Sequence, residues 1–183
     1  MDSIIKDDLY RHDGLTGKRG FVKGWFIPGF RYTFLLRKIQ KHKKFTLKGL
    51  FYRTVKRLCA YKEYQINTEV SIGKGFQLYH RGPVIIGPVK IGNNCSVAHN
   101  VTIGRSYKDG QIGRPTIGDY VWLGTGSVLV GKITIGNNVL IAPNSFVNFD
   151  VPDNSIVIGN PGKIIRKVNP TKYYITDIID EKE

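Results

Sequence analysis

The chain has 183 residues, of which 41% are hydrophobic, and it carries a formal net charge of +14. This length predicts one main domain with room for a small second part, and two cysteines are too few for a disulfide framework. The sequence has neither the apolar run of a signal peptide nor an apolar stretch long enough to span a membrane, which favours a cytoplasmic protein over a secreted or membrane-spanning one.

The positive charge is concentrated near the N-terminus. Residues 1–62 hold 16 basic and 4 acidic residues, whereas residues 63–183 hold 12 basic and 10 acidic ones. The sequence therefore predicts a basic helical N-terminal segment over 1–62, a repeat domain over 63–168 and a C-terminal tail over 169–183.

Helical signals begin after a polar stretch, residues 1–20, that we expect to be loosely held. Pro28-Gly29 predicts a turn before a helix from Phe30 to about Gln40. A second helix is predicted from Thr46 to Tyr61, because apolar residues recur there at helical spacing and Thr46 is a suitable N-cap.

Three roles are open for this basic, aromatic segment. It can cap the open first coil of the repeat domain, since the ends of a solenoid must be covered. It can also lie on the inner face of an anionic membrane, as basic amphipathic helices with Trp and Phe do. Nucleic-acid binding is the weakest of the three, because no nucleic-acid motif accompanies the basic residues, and we expect no such partner.

From residue 66 to residue 147, aliphatic residues recur with a period of six, each often followed by Gly or Ala. They are Ile66, Ile72, Leu78 and Val84, then Ile91, Val97 and Ile103, and finally Ile117, Leu123, Leu129, Ile135, Ile141 and Val147. This period fits neither one helix nor one strand, but it fits short flat faces joined by corners and stacked as parallel strands about 4.8 Å apart. The sequence therefore predicts an all-β solenoid with three hexads to a coil and a little over four coils, rather than an antiparallel sandwich.

Two irregularities interrupt the period. Val84 and Ile91 are seven residues apart, which predicts one extra residue in a corner or a face. Ile103 and Ile117 are 14 residues apart, and the polar, Gly-rich stretch from Arg105 to Pro115 predicts a loop that leaves the coil at a corner. Loops on a rigid scaffold often carry function.

Two of the four histidines, His80 and His99, lie in the repeat. Each stands two residues after an inward aliphatic residue, and their separation of 19 residues equals one 18-residue coil plus the extra residue. The coil model therefore places both imidazoles at one edge of the prism, one coil apart, beside the point where the loop leaves at Arg105. A neutral imidazole can take a proton from a hydroxyl, as O-acyl transfer requires, although two histidines at permissive surface corners would give the same pattern.

Several motifs resemble those of the hexapeptide-repeat acyltransferases, whose fold is a left-handed parallel β-helix. The segment Leu78-Tyr-His80-Arg-Gly-Pro-Val-Ile-Ile-Gly87 is similar to the one around the catalytic histidine in the serine O-acetyltransferase branch, and the stretch between Gly104 and Pro115 matches that branch in loop length. The resemblance covers residues 65–168 and extends to related sugar and capsule O-acetyltransferases. It implies a homotrimer with sites between subunits and His80 as general base; His99 stands where the family commonly has Gln and can assist, bind substrate or be neutral.

Three positions depart from the serine enzymes of that family. The family's orienting Asp, second histidine and Glu are here Gln65, Arg114 and Pro88. These departures favour an acceptor other than serine and leave open which residue orients His80, with Asn67 as one candidate. Arg81 and Arg114 suit a polar or anionic acceptor.

The resemblance also implies acetyl-CoA as co-substrate and no metal. The matching cofactor positions lie at coil corners and after the last coil: Gly104, Gly124, Thr125, Ala142, Pro143, Lys163 and Arg166. The charges of Lys163 and Arg166 suit the phosphates of CoA. The zinc-dependent carbonic-anhydrase type of this fold needs three histidines, and the coils hold two.

Together these observations predict an acetyl-CoA-dependent O-acetyltransferase that acts on a carbohydrate hydroxyl in surface-polysaccharide assembly, with His80 as general base. Two alternatives stay open: a serine O-acetyltransferase, and a non-catalytic β-helix scaffold that does not bind CoA. N-acetyl transfer to an amino sugar also stays open, because the same base and cofactor would serve.

Overall fold

Four helices precede a parallel β-solenoid in the computed structural model, which describes residues 2–60, 63–108 and 111–179. The helices are α1 (Ser3–Tyr10), α2 (Gly17–Trp25), α3 (Pro28–Lys41) and α4 (Leu47–Cys59). Each coil of the solenoid has three faces, here named A, B and C, and the chain visits them in that order. The prediction of an all-β solenoid with N-terminal helices is confirmed.

The strands of each face stack as a parallel sheet, apart from the last strand of face C. Face A consists of β1 (Tyr64–Ile66), β4 (Val84–Ile86), β7 (Thr102–Gly104), β12 (Val128–Val130) and β15 (Phe146–Val147). Face B consists of β2 (Ser71–Ile72), β5 (Lys90–Ile91), β10 (Thr116–Ile117) and β13 (Thr134–Ile135). Face C consists of β3 (Gln77–Leu78), β6 (Ser96–Val97), β11 (Trp122–Leu123), β14 (Val139–Ile141), β16 (Ser155–Ile158) and the antiparallel β17 (Lys163–Arg166). A hairpin of β8 (Ser106–Lys108) and β9 (Gln111–Gly113) leaves the solenoid between β7 and β10.

The aliphatic residue of each hexad points into the prism and stacks on its counterpart in the next coil. Ile117 lies opposite Ile135, and Leu129 lies opposite Val147; the two residues of each pair are 18 positions apart in the chain, which is one coil of three hexads. These side chains are almost completely buried, so the prism interior is a single continuous apolar core. The solenoid has about five turns, more than predicted, because β16 continues face C beyond the last regular hexad.

The break in the period lies in a different place from the one predicted. Ile86, rather than Val84, occupies the inward register of face A opposite Ile66. Leu78 and Ile86 are therefore eight residues apart, two more than a hexad, and the additional residues lie in the corner His80–Pro83. The step from Ile86 to Ile91 is one residue shorter than a hexad, so the two changes together add the single extra residue that the spacing predicted.

The first twenty residues are folded, contrary to the prediction that they are loosely held. Ile5 and Leu9 of α1 pack against Phe30 in a second apolar cluster. Asp8 and Arg11, on and just after the same helix, are only 1% and 2% exposed. The polar composition misled the prediction because these charged side chains bind the first coil instead of facing solvent.

The helical segment caps the first coil, as one of the three proposed roles required. The Arg37 guanidinium donates hydrogen bonds to the carbonyls of Ile72 and Gly73, and it pairs with Asp8 at 2.9 Å. The Asp8 carboxylate in turn accepts a hydrogen bond of 2.9 Å from the backbone N–H of Phe76. These contacts satisfy backbone groups that have no coil above them to pair with.

The fourth helix was predicted with nearly correct bounds. Its N-cap is Thr46, whose hydroxyl accepts a hydrogen bond of 3.1 Å from the backbone N–H of Gly49. Its predicted last residue, Tyr61, lies outside the described residues. Large apolar side chains on and before this helix face solvent, including Phe45 at 91% and Leu47 at 90% exposure. No helix within the described ranges is long and apolar enough to cross a membrane.

The buried His12 is expected to make the protein less stable in acid. Burial, with a smaller contribution from Arg11, lowers the pKa of His12 from 6.5 to about 4. The unfolded chain takes up this proton near pH 6.5 and the folded chain only near pH 4, so the stability that neutral His12 contributes is full above pH 6.5 and is lost as the pH falls towards 4. We expect this group alone to lower the free energy of unfolding by about 3 kcal/mol over that range.

Urea unfolding of the wild type and of His12→Leu, at several pH values between 4 and 7, measures this contribution. Leucine retains an apolar contact with Phe30, whose ring lies 5.9 Å from that of His12. The difference in stability between the two proteins should change by the expected amount as the pH falls. A difference that does not depend on pH would assign the acid sensitivity to other groups.

Candidate active site

The two histidines of the repeat meet at the edge that joins face C to face A, here called the C–A edge. His80 follows β3 and His99 follows β6, one coil apart. Their ring centroids lie 5.7 Å apart with the planes at 87°, an edge-to-face arrangement. In the next coil Thr125 places its hydroxyl 3.5 Å from Nδ1 of His99, at the outer limit of a hydrogen bond. The predicted proximity of the two imidazoles is confirmed, while their catalytic roles stay predictions.

The backbone at this corner is held in an uncommon conformation. His80 has a φ of +58°, which non-glycine residues seldom adopt. The hydroxyl of Tyr64, from β1, donates a hydrogen bond of 2.6 Å to the His80 carbonyl. Gly82 has a φ of +148°, and a Cβ there would lie 2.8 Å from the Cβ of His99. Strain of this kind concentrates at functional sites, where the surrounding contacts maintain it.

The predicted partners of His80 occupy different places. Arg81 shares its corner and is exposed, so it can reach a ligand bound beside the imidazole. Asn67 follows β1 at the edge between faces A and B, where its Oδ1 accepts a hydrogen bond of 2.8 Å from the backbone N–H of Glu69. Gln65 lies exposed on face A. Across the described part of the chain no hydrogen bond holds the His80 imidazole, so the residue that orients it is not among these candidates within one subunit.

The sequence analysis predicted that the loop leaves the solenoid beside the two histidines, and this prediction is wrong. His99 precedes β7 and the hairpin follows it, so the width of face A separates the C–A edge from the A–B edge where the hairpin emerges. Arg114 follows β9 on this hairpin and is exposed. Its residues Asp109 and Gly110 lie outside the described ranges. The corner assignment could have been read from the hexads, because Ile103 is an inward residue of face A and Ile117 one of face B.

Four of the predicted cofactor positions lie in the same column of corners as the histidines. Gly124 and Thr125 follow β11, and Ala142 and Pro143 follow β14, so the C–A edge passes from His80 through these residues. A Cβ on Gly124 would lie 2.6 Å from the backbone nitrogen of Pro143, which explains why glycine occupies this corner. Four coil steps of about 4.8 Å make this edge roughly 19 Å long, enough for an extended ligand.

The other three predicted cofactor positions are more scattered. Gly104 ends β7 at the A–B edge, one face away from the histidines. Lys163 pairs with Ile158 at the end of β16 nearest the C–A edge. Arg166 lies at the opposite end of β17, where its guanidinium donates a hydrogen bond of 2.7 Å to the Asp153 carbonyl. Lys163 is therefore the better placed of the two basic residues for a ligand that follows the edge.

Tyr64 was missed by the sequence analysis, and we expect it to position His80. Tyr64→Phe removes the donor to the His80 carbonyl but keeps the aromatic packing. We expect the loss of about 1 kcal/mol of stability and a decrease of up to about tenfold in kcat, with the KM for the acyl donor unchanged. Steady-state kinetics and urea unfolding measure the two effects.

Tyr32→Phe is the matched control for this variant. The Tyr32 ring lies edge-on to Tyr64 at 5.3 Å, and its hydroxyl accepts a hydrogen bond of 3.2 Å from the backbone N–H of Ile66. This variant removes one hydroxyl from the same junction without touching His80. Equal kcat losses in the two variants would show that Tyr64 acts only through stability.

Comparisons with known proteins agree on one class of relatives. A family model described as "Bacterial transferase hexapeptide (six repeats)" matches residues 114–148. Serine acetyltransferase 1, chloroplastic, of Arabidopsis thaliana is 43% identical over 110 residues, which cover 59% of this chain and 35% of that protein. The crystal structure of Neisseria gonorrhoeae serine acetyltransferase matches with a TM-score of 0.72 at 27% identity, over 97% of this chain and 71% of that one. A structure of the Neisseria gonorrhoeae enzyme in complex with serine matches with a TM-score of 0.69 at 28% identity, over 88% and 67% of the two chains.

These findings overturn the prediction of a carbohydrate acceptor. The relatives and structures named above are serine acetyltransferases, and they do not support the sugar or capsule branch. The prediction gave too much weight to Gln65, Pro88 and Arg114, which are three changes in a fold that otherwise matches over nearly the whole chain. The chain spans about a third of the length of the curated plant relative. It is a β-solenoid of hexapeptide repeats, in which residues 114–148 match the bacterial transferase hexapeptide model, and it is similar in sequence and in fold to serine acetyltransferases.

Proposed function

We propose that this protein is an acyltransferase that moves the acetyl group of acetyl-CoA to the hydroxyl of serine, with His80 as general base. The serine O-acetyltransferase, which the sequence analysis left open as an alternative, thus replaces the predicted carbohydrate O-acetyltransferase. The observation that carries the proposal is the pair of imidazoles at the C–A edge, in a fold similar to that of serine acetyltransferases. The exposed corner leaves His80 open to an acceptor.

The chemistry needs one base and one site for developing negative charge. The His80 imidazole takes the proton of the serine hydroxyl while its oxygen attacks the thioester carbonyl. The new C–O bond forms, the C–S bond breaks, and the imidazolium returns the proton to the departing thiolate of CoA. Backbone N–H groups at the corners of the edge are suited to stabilise the oxyanion. The reaction requires neither a covalent intermediate nor a metal.

The remaining residues of the edge take supporting roles in this proposal. His99, beside His80 and within reach of Thr125, helps to hold the acceptor or the base. Arg81 is the candidate partner for the carboxylate of serine, because a guanidinium binds a carboxylate through two parallel hydrogen bonds. Acetyl-CoA lies along the edge past Gly124 and Pro143 towards Lys163.

We also propose that the protein is a homotrimer, with each C–A edge completed by a neighbouring subunit. Two features support this arrangement: the edge is open, and within the described ranges no hydrogen bond from the same subunit holds the His80 imidazole. Sedimentation velocity gives the assembly state directly. A monomer that is fully active would contradict a site shared between subunits.

The test of function is an assay of the purified protein with acetyl-CoA and L-serine. Release of free CoA thiol, together with a mass gain of one acetyl group on serine, is the expected result. Glycine, which lacks the hydroxyl, should give neither signal. Binding of acetyl-CoA without transfer to serine would contradict the acceptor, and failure to bind CoA would favour the non-catalytic scaffold.

Association of residues 1–62 with an anionic membrane stays a prediction, and the exposed apolar side chains around α4 are the observation that favours it. The charge variant Leu47→Glu, on a side chain that is 90% exposed, should reduce flotation with phosphatidylglycerol vesicles without unfolding the protein. Equal flotation of the variant and the wild type would contradict the prediction.

A further inference from the structure

A large cavity opens within the helical segment, away from the C–A edge. Its volume is about 720 Å³, within the range of small-molecule sites in proteins. All four helices and the C-terminal tail contribute to its wall, through Leu9, Phe21, Phe34, Tyr52 and Ile179 among others. None of its lining residues belongs to the proposed catalytic site, so an occupant would be distinct from serine and acetyl-CoA.

The wall of the cavity is apolar and aromatic. Phe21 and Phe34 meet edge-to-face with their centroids 5.3 Å apart, and this pair fixes one side of the space. Val22 lines the cavity and is 59% exposed, so the space is open to solvent and part of its apolar wall is in contact with water. Burying such a surface against an apolar ligand is favourable, because it removes the side chains from water.

The same cavity is lined by three lysines and by no acidic residue among the described ones. Lys38 is paired with Asp2 at 3.2 Å, whereas Lys6 and Lys18 are exposed and form no ion pair within the described ranges. Most of the wall comes from the stretch between Asp13 and Glu63, which contains no acidic residue. An apolar wall with unpaired ammonium groups is complementary to a molecule that has an apolar body and one anionic end.

We propose that this cavity binds a fatty-acid-type anion, with the alkyl chain against the apolar wall and the carboxylate at Lys6 and Lys18. A flexible alkyl chain can adapt to a wall of mixed aliphatic and aromatic side chains. A carboxylate gains charge-assisted hydrogen bonds from two exposed ammonium groups that form no ion pair within the described ranges. The proposal is independent of the acetyl-transfer reaction and is tested without it.

Isothermal titration of the full chain with decanoate, well below its micelle concentration, tests the site. Saturable binding of one decanoate per chain is the expected result, accompanied by a rise in Tm that grows with ligand concentration. Decanol, which has the same chain without the charge, should bind at least about tenfold more weakly, and acetate should not bind. Equal binding of decanol and decanoate would overturn the assignment of an anionic ligand.

Three substitutions on α2 locate the binding. Lys18→Glu replaces a lining lysine and should weaken decanoate binding at least about tenfold, while Lys23→Glu makes the same charge change on an exposed residue outside the cavity and should leave it unchanged. Val22→Glu, which adds a carboxylate to the wall itself, should also weaken binding. If all three variants bind decanoate equally well, the ligand lies elsewhere and the proposal is wrong.

The alternative occupants give different outcomes in the same set of measurements. Flotation with phosphatidylglycerol vesicles in the absence of any decanoate binding would identify a membrane surface and overturn the proposal. Sedimentation can also show an assembly larger than the proposed trimer. If Val22→Glu disperses that assembly and decanoate does not, the occupant is a second copy of the chain and the proposal is wrong. Loss of decanoate binding in Lys18→Glu with acetyl transfer intact would support the cavity whatever the acceptor of the enzyme proves to be.

Discussion

Replacing His80 by asparagine is expected to lower kcat for acetyl transfer to serine by about 10²–10⁴-fold, the usual contribution of a general base. Asparagine is the informative substitution because it tolerates the positive φ at this position, which alanine does not favour. The side chain is exposed, so its replacement should cost little stability. Steady-state kinetics with acetyl-CoA and serine, with circular dichroism to verify the fold, give the result.

Two comparisons make this prediction specific to His80. His99→Gln should reduce kcat much less, since glutamine can hold a position by hydrogen bonding but cannot act as a base. If the two imidazoles act as a unit, the double variant should be little worse than His80→Asn alone. Activity of His80→Asn within about tenfold of the wild type would assign the base to another residue.

The solenoid could be predicted because its inward-facing aliphatic residues must recur at a fixed spacing. Each coil has one inward aliphatic residue per face, so Ile117 and Ile135 had to lie one above the other once the period was recognised. The same rule failed at Val84 and Ile86, which are both buried aliphatic residues two positions apart. Alternation along a strand places both of them inside, and only pairing with the neighbouring coil shows which one occupies the inward register.

The sequence predicted those features of the candidate site that follow from the number of residues in a coil. It did not predict those that depend on contacts between distant side chains. The separation of His80 and His99 was readable from the spacing, whereas Tyr64 gave no signal because an aromatic residue in a strand is ordinary. Its hydroxyl reaches His80 only through the fold of the first coil. Asp8 and Arg11 were missed for a related reason, since a charged residue in a polar stretch looks solvated until its buried partner is known.

The prediction of a carbohydrate acceptor was the largest error. It shows that the residues at a few single positions are not enough to assign the class of substrate. A change at a position that holds a substrate in relatives removes one contact, but a neighbouring side chain can supply another. Arg81, at the corner of His80, is exposed and offers a guanidinium beside the imidazole. The predicted change of substrate class therefore did not follow from the departures alone.

Breaking the buried ion pair of the cap should have the largest effect on stability. Arg37→Met is expected to lower the free energy of unfolding by about 3–5 kcal/mol, the cost of leaving a buried charge without its partner. Asp8 is 1% exposed, and the carbonyls of Ile72 and Gly73 lose the same donor. Urea unfolding at pH 7 measures the loss. Lys41→Met, which removes an exposed partner of Asp2 on the same helix, should cost less than about 1 kcal/mol.

The pH dependence of the Arg37→Met variant separates the ion pair from simple packing. Burial raises the pKa of Asp8, and Arg37 opposes that rise, so the variant should hold the carboxyl proton to a higher pH than the wild type. A carboxyl whose pKa is raised in the folded state favours folding below its unfolded pKa, and this contribution is lost as the pH rises through the folded value. The variant should therefore lose more stability, relative to the wild type, at pH 7 than at pH 4.5, and Asp8→Asn in the same chain should recover part of the loss at pH 7. If the loss is the same at both pH values and Asp8→Asn recovers nothing, Arg37 stabilises the cap through its packing and its carbonyl contacts rather than through its charge.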